Sequence, residues 1–576
     1  MRLTGAELVV RALEDEGIRF AFGIPGTHNI ELYDALADSR QVRTVLVTDE
    51  QSAGFMADGA WRAAEELACV NLVPGAGLTH ALSGIAEAYL DGIPMLVLGC
   101  GIRRDLKLAY QLHDVDQLAI AAPVTKAQMR PPAGADIYRT IREACGLARA
   151  GRPGPVMVEI PVDQYLFRHE GGELEPPVGP KPAELDPAEI DRAVDLLGAA
   201  GARPFLYLGW GARSAGAALV ALAETLGAPV ATTIQGKGVF PESHPLFLWN
   251  GFGRSAPPFV RAVAGDCTVT LAIGCRFAEV ATGSYSAIPP GPLIHADIDP
   301  SVFDRNVPAT VRLAADAARV VAPLVARLGD RHPSHRQSVE AAIARGRAAV
   351  GEKRAGDGAG VTPARLFGSL QRAFGPDTIY ATDSGNGTFL AMEHLRLERP
   401  GQFLAPVDYS CMGYAVPAAI GAKLARLDCP VVALPGDGAF LMTGLELLTA
   451  ASEGAPIATF LLRDGELGQI AQFQATAFRR QTASRLPDYD AGSLAEGMGI
   501  EWIRLDRDAE LDEAVGFTRE VISRGQPILV DTAIDYREPT YFTEGVVRTN
   551  LGRLPWKDRL RFVARAIGRR LRSPGR

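Results

Sequence analysis

The chain has 576 residues, of which 47% are hydrophobic, with 61 Gly and 40 Pro. This is length enough for about three or four domains, each with its own core, and too apolar a composition for a disordered chain. A formal net charge of −8 offers no electrostatic footprint for nucleic acid, so a nucleic-acid-binding role is not expected.

The seven Cys stand without a CxxC pair and read as reduced, mostly buried thiols of a cytoplasmic protein. The first residues, Met1-Arg2-Leu3-Thr4-Gly5, lack the apolar core of a signal peptide. No apolar run is long enough to span a bilayer.

Thr4 is placed to cap a helix carrying Leu8, Val9, Ala12 and Leu13, which Gly17 ends. Ile18 to Gly23 reads as a strand, followed by the turn Ile24-Pro25-Gly26-Thr27-His28-Asn29 and a helix through Leu32 and Leu36. Arg43 to Thr48 is the next strand and runs straight into Asp49-Glu50-Gln51 at a helix start. Ala68 to Val73 and Met95 to Leu98 follow, with a Gly-rich turn and the helix Leu78 to Leu90 between them. Pro155 to Ile160 closes this first unit, over residues 1–166.

Phe167 to Pro187 turns to Glu, Gly and Pro and reads as a linker. The second unit, 186–330, has the strands Phe205 to Leu208, Val230 to Thr233, Val269 to Ile273 and Ile294 to Ile298 among its helices. Polar stretches near 329–338 and 351–360 lead to a third unit, 361–545. Strands alternating with helices of these lengths predict an α/β protein of three doubly wound parallel sheets. The first and third units resemble each other in size and strand order. Residues 546–576 form a basic tail, whose face of Trp556, Leu560, Val563, Ile567 and Leu571 predicts a helix docked on the protein's own body.

The third unit carries the most telling stretch. Val431 to Leu434 reads as a buried strand, Phe440 to Glu453 as a helix and Ile457 to Leu462 as the next strand. Gly436-Asp437-Gly438-Ala439 and Asp464 then fall just past the carboxyl ends of two parallel strands, where open α/β sheets bind ligands. Two hard oxygen ligands beside glycine-freed amides suit Mg²⁺ bridged to a diphosphate.

The pieces Phe22-Gly23-Ile24-Pro25-Gly26, Asp49 to Gly59, Gly236-Lys237-Gly238 with Pro241-Glu242, Asp297-Ile298-Asp299-Pro300, Met412 to Ala422 and Gly436-Asp437-Gly438 occur in that order. Together they resemble thiamine-diphosphate enzymes of the acetolactate synthase group, over about residues 1–545. The resemblance implies a pyrimidine-binding, a central and a diphosphate-binding domain. It also implies thiamine diphosphate with Mg²⁺ as cofactors and a 2-oxo acid as substrate. By position, Glu50 is the acid that hydrogen-bonds the aminopyrimidine and favours the form that takes the thiazolium proton. Asp437, Asp464 and Glu466 fall at the metal motif, Glu466 where the family offers a backbone carbonyl. Met412 matches the apolar prop of the cofactor. In the family the first domain of one subunit faces the third domain of another, which implies a homodimer or homotetramer.

Departures from the family bear on the substrate. The metal motif has Arg463-Asp464 in place of Asn-Asn, which keeps an oxygen ligand and adds charge. A Gln-His pair on the diphosphate is replaced by Asn386 and Gly387. The Phe-Gln-Glu triplet at the active-site edge reads Leu112-His113-Asp114, similar to decarboxylases of longer 2-oxo acids. His113, beside Asp114 and Asp116, is then expected to serve as a proton donor, with Thr27 and His28 on the opposite rim. Gly209-Trp210-Gly211, Gln235 to Gly238 and Gly274-Cys275-Arg276 match the segments that hold FAD in some members, while other members lack it, which leaves FAD open. The expected activity is decarboxylation followed by carboligation, with release of an aldehyde and a non-catalytic fold member as the alternatives.

Overall fold

The computed structural model describes residues 2–106, 108–170, 184–329, 333–352, 360–478, 480–537, 539–553 and 555–556. Three six-stranded parallel sheets follow one another along the chain, each flanked by helices. The first has the spatial order Arg43–Leu46, Phe20–Gly23, Cys69–Leu72, Leu96–Gly101, Val156–Pro161, Ala127–Met129. The third runs Phe403–Leu404, Ile379–Thr382, Val431–Leu434, Ala458–Arg463, Ile528–Ala533, Glu501–Leu505. Counted in chain order within each unit, both are the same 2-1-3-4-6-5 arrangement. The central sheet instead has the nucleotide-binding order 3-2-1-4-5-6, from Phe247–Asn250 at one edge to Val311–Ala314 at the other.

Local signals work as read. Thr4 Oγ1 accepts from the Glu7 amide at 3.2 Å while Glu7 Oε2 accepts from the Thr4 amide at 2.6 Å, closing a capping box. Val431–Leu434 is buried on both faces, as a continuous apolar run between parallel neighbours must be. Six of the seven thiols are buried and all are free. Among the described residues no helix is long and apolar enough to cross a membrane.

The expected single helix from Phe440 to Glu453 is broken into Asp437–Thr443, a 3₁₀ turn at Gly444–Glu446, and Leu447–Ser452. The Phe440 ring packs so closely on Gly444 that a Cβ there would lie 2.7 Å from it. At the end of that turn the Glu446 carboxylate points inward to the first domain. The short strand Ala127–Met129 lies at a sheet edge and is half-buried, which left it no apolar signature in the sequence. Of the basic tail, Trp556 is exposed, and most of the expected helix lies outside the described residues, as does the middle of the expected linker.

Among the contacts that join the domains, two are built on buried or closely packed groups. Lys237, whose side chain is fully buried, donates to Glu242 Oε2 at 2.7 Å and Asn250 Oδ1 at 3.0 Å, and also to the Met392 and Leu395 carbonyls. The Gly-Lys-Gly motif therefore clamps the central unit onto the third. In addition, the helix Glu50–Ala64 crosses the helix Ala415–Ala425 with their backbones in contact. A Cβ on Gly59 would fall 2.1 Å from the Ala418 carbonyl oxygen, and one on Gly421 would fall 2.0 Å from that of Met56. Buried charges lock the same crossing: Arg62 donates to Asp58 at 2.6 Å and to Asp91 at 2.7 Å, and the Tyr414 hydroxyl donates to Asp58.

Gly59→Ala is expected to lower stability by about 1–3 kcal/mol through overpacking. Gly146→Ala, in a helix where an added Cβ meets nothing within 4 Å, should raise it by roughly 0.5–1 kcal/mol. Denaturant unfolding of the two variants checks this contrast, and equal effects would contradict the proposed crossing.

Candidate active site

The third sheet changes direction between Ile379–Thr382 and Val431–Leu434, and a crevice opens there outside the carboxyl ends of the strands. Helices Asn386–His394, Asp437–Thr443 and Gly468–Phe478 all begin at this edge. Their first amides face the crevice end of the sheet, the arrangement that favours an anion.

Asp437, 3% exposed, is anchored by backbone amides. Its Oδ1 accepts from Gly438 at 2.9 Å, and its Oδ2 accepts from Gly465 at 2.8 Å and Asp464 at 3.3 Å. Burial raises its carboxyl above the usual range against the pull of those amides. Asp464 stands at the open mouth of the crevice, yet desolvation beneath it and then the charge of Asp437 push its carboxyl up to about 7. Two carboxylates held together at that cost are a donor set that a divalent cation would relieve.

A Cβ on Gly468 would lie 2.4 Å from Asp464 Oδ2 and 3.2 Å from Asn386 Nδ2, so this glycine keeps both side chains against the helix start. Asn386 Nδ2 is buried with no hydrogen-bond partner among the described residues, a donor waiting for an acceptor oxygen. The residues thus fit a metal-bound diphosphate. The carboxylate of Glu466 is drawn away, accepting from Gln481 at 3.0 Å and lying 3.7 Å from Arg485.

Met412 is half-buried, with its Cε 3.3 Å from where a Cβ on Gly438 would stand. What fixes its turn is Asp383, to which the sequence alone assigns no role. This buried carboxylate accepts from the amides of Ser384 and Gly413 at 2.9 Å and of Ala415 at 2.8 Å, and desolvation pushes it up to about 6. The only sequence signal was an acid directly after an apolar strand.

Glu50 opens its helix behind the Asp49 cap and is half-buried. Glu446 of the third domain holds that helix start, its Oε1 accepting from the Thr48 amide at 2.9 Å, the Thr48 hydroxyl at 2.8 Å and the Asp49 amide at 3.2 Å. Glu50 Oε2 lies 3.2 Å from His80 Nδ1, and Oε1 lies 3.4 Å from the Cβ position of Gly77. His80 and Glu446 were both missed, because each acts across a long sequence separation.

At the rim, the rings of His28 and His113 meet edge to face with centroids 5.3 Å apart. Desolvation and then His113 lower the pKa of His28. Thr27 Oγ1 is 3.1 Å from His28 Nδ1, and Leu112 is exposed. The expected pairing of His113 with Asp114 or Asp116 is not found among the described residues; Asp116 instead caps its own helix through the Ala119 amide at 3.1 Å. His113 adopts a left-handed backbone (φ 66°) that carries its ring towards His28.

A second cleft, of about 230 Å³, lies at the switch point of the central sheet, between Gly209-Trp210-Gly211 and Gly274-Cys275-Arg276. Arg152, Arg276, Asp297 and Asp316 line it, and the buried indole nitrogens of Trp61 and Trp210, also on its wall, have no partner among the described residues. This mixture of cations, strand-end acids and close backbone suits a nucleotide.

Comparison with known proteins agrees with this geometry. Family models for thiamine pyrophosphate enzymes match as the N-terminal TPP binding domain over residues 3–120, the central domain over 190–324 and the C-terminal TPP binding domain over 383–532. The chain is 32% identical to a probable acetolactate synthase large subunit of Methanocaldococcus jannaschii, covering 93% of both chains. It is 34% identical to the acetolactate synthase large subunit of Corynebacterium glutamicum, over 92% of this chain and 86% of that one. It is 30% identical to the acetolactate synthase isozyme 3 large subunit of Escherichia coli, over 94% and 96%. The chain belongs to the thiamine pyrophosphate enzyme family.

Proposed function

We propose that this enzyme decarboxylates a 2-oxo acid and joins the remaining fragment to a second carbonyl compound; its relatives named acetolactate synthase support this reading. The observation that carries the reading is the crevice at the third sheet, where Asp437, Asp464 and the unpartnered Asn386 amide converge on three helix starts.

Thiamine diphosphate, when bound, supplies the carbon nucleophile and electron sink that cleavage beside a carbonyl requires. Asp437 and Asp464 would hold Mg²⁺, with Glu466 contributing its main chain instead of its engaged carboxylate. Asn386 and the amides of Gly436 to Ala439 would receive the diphosphate, and Met412 would support the ring system. Glu50 would accept a hydrogen bond from the aminopyrimidine through a carboxylate whose other contacts are His80 and the Gly77 turn. His28 and His113 stand where they would meet the substrate. Thr27 and Leu112 would shape its rim.

In this reading the active protein is a homodimer or homotetramer in the cytoplasm. The central cleft would take the nucleotide part of FAD, with Arg152 and Arg276 near its phosphates and Asp297 near a ribose.

Two measurements test these statements. Incubation with pyruvate and a panel of longer 2-oxo acids is expected to give a hydroxy-ketone; release of free aldehyde alone would replace carboligation with simple decarboxylation. The visible spectrum of the purified protein is expected to show flavin absorption that heat releases into solution. Its absence after reconstitution with FAD would remove the flavin assignment and leave the thiamine-diphosphate site unaffected.

A further inference from the structure

A third cavity, of about 550 Å³, lies between the central and third domains. Helices Arg336–Glu352, Pro363–Phe374 and Asn386–His394 and strand Phe247–Asn250 contribute to its wall. Four arginines line it: Arg347, Arg365, Arg372 and Arg396.

Three of these arginines, Arg347, Arg372 and Arg396, have no carboxylate partner among the described residues. Arg347 lies over the Phe247 ring at 5.2 Å and donates only to the carbonyls of Glu242 and Phe247. Arg396 lies over the Trp249 ring at 5.4 Å. Arg347 Nε, Arg396 Nη1 and the indole nitrogen of Trp249, itself 2% exposed, are buried donors without an acceptor among the described residues. Asp508 accepts from the Thr362 amide at 2.8 Å and faces Arg365 at 3.5 Å, and Glu393 accepts from the Phe542 amide at 3.3 Å. Burial and then the charge of Arg396 hold Arg347 down to about 10, the effect of two cations sharing one poorly hydrated place.

Convergent guanidinium groups with unused donors, on an aromatic floor, are the recognition chemistry of a phosphate group. We infer that this interdomain cleft is a binding site for a small phosphate-bearing anion, separate from the diphosphate crevice and from the central cleft. The site borders the carboxyl end of the Asn386–His394 helix, whose first residue stands in the diphosphate crevice.

The test uses the full chain saturated with thiamine diphosphate and Mg²⁺, so that the first crevice is filled, and titrates inorganic phosphate at constant ionic strength. Phosphate is expected to raise the melting temperature and to give a calorimetric binding isotherm. Arg347→Gln and Arg396→Gln should each weaken that affinity about tenfold or more. Arg213→Gln, in the central cleft, should leave it unchanged. Should either buried variant fail to fold, Arg372→Gln on the exposed rim still weakens phosphate binding if the site is real. No stabilisation by phosphate, or stabilisation that survives these substitutions, overturns the inference.

Discussion

The crossing of the Glu50–Ala64 and Ala415–Ala425 helices is the constraint on which the rest depends. Each helix offers a glycine to the other's backbone, and any side chain at Gly59 or Gly421 would strike a carbonyl. That close approach sets the first sheet against the third and brings Thr48 and Asp49 within reach of Glu446. The start of the Glu50 helix is thereby fixed by a residue almost four hundred positions away in the chain. Buried ion pairs alone would not explain the arrangement, since desolvation offsets much of their attraction. The Asp58–Arg62–Asp91 network is better understood as fixing which way two already complementary surfaces meet.

The diphosphate crevice follows from the third sheet itself. Strand ends supply Asp437, Asp464 and Asp383, and helix starts supply amides and Asn386. The carboxylates serve different ends. Asp383 spends its oxygens on the Met412 turn, whereas desolvation and then the charge of Asp437 raise the Asp464 carboxyl to about 7. A carboxylate pair of that kind is costly for a bare protein and useful for one that binds a cation.

Much of this was legible in the sequence. The continuous apolar strands, the Thr4 capping box and the acids following Val431–Leu434 and Ala458–Arg463 are local signals, and each appears where the pattern put it. The motif pieces gave Glu50, Met412 and Asp437 through resemblance. What the sequence hid was non-local. The break in the helix after Thr443 depends on Phe440 folding back on Gly444 and on Glu446 reaching into another domain. The partner of His113 proved to be His28, brought close by two separate loops, and not the neighbouring aspartates. The role of Lys237 as an interdomain clamp likewise needs four partners that no spacing rule connects.

The account's central claim is that Glu50 acts on a cofactor held by the third domain. Its most direct test is the turnover of Glu50→Gln at thiamine diphosphate and Mg²⁺ concentrations that calorimetry shows to be saturating. The account predicts retained cofactor binding with a rate lowered by ~10²–10⁴, the usual cost of losing a positioned acid–base group. Near-wild-type turnover in that variant would contradict it.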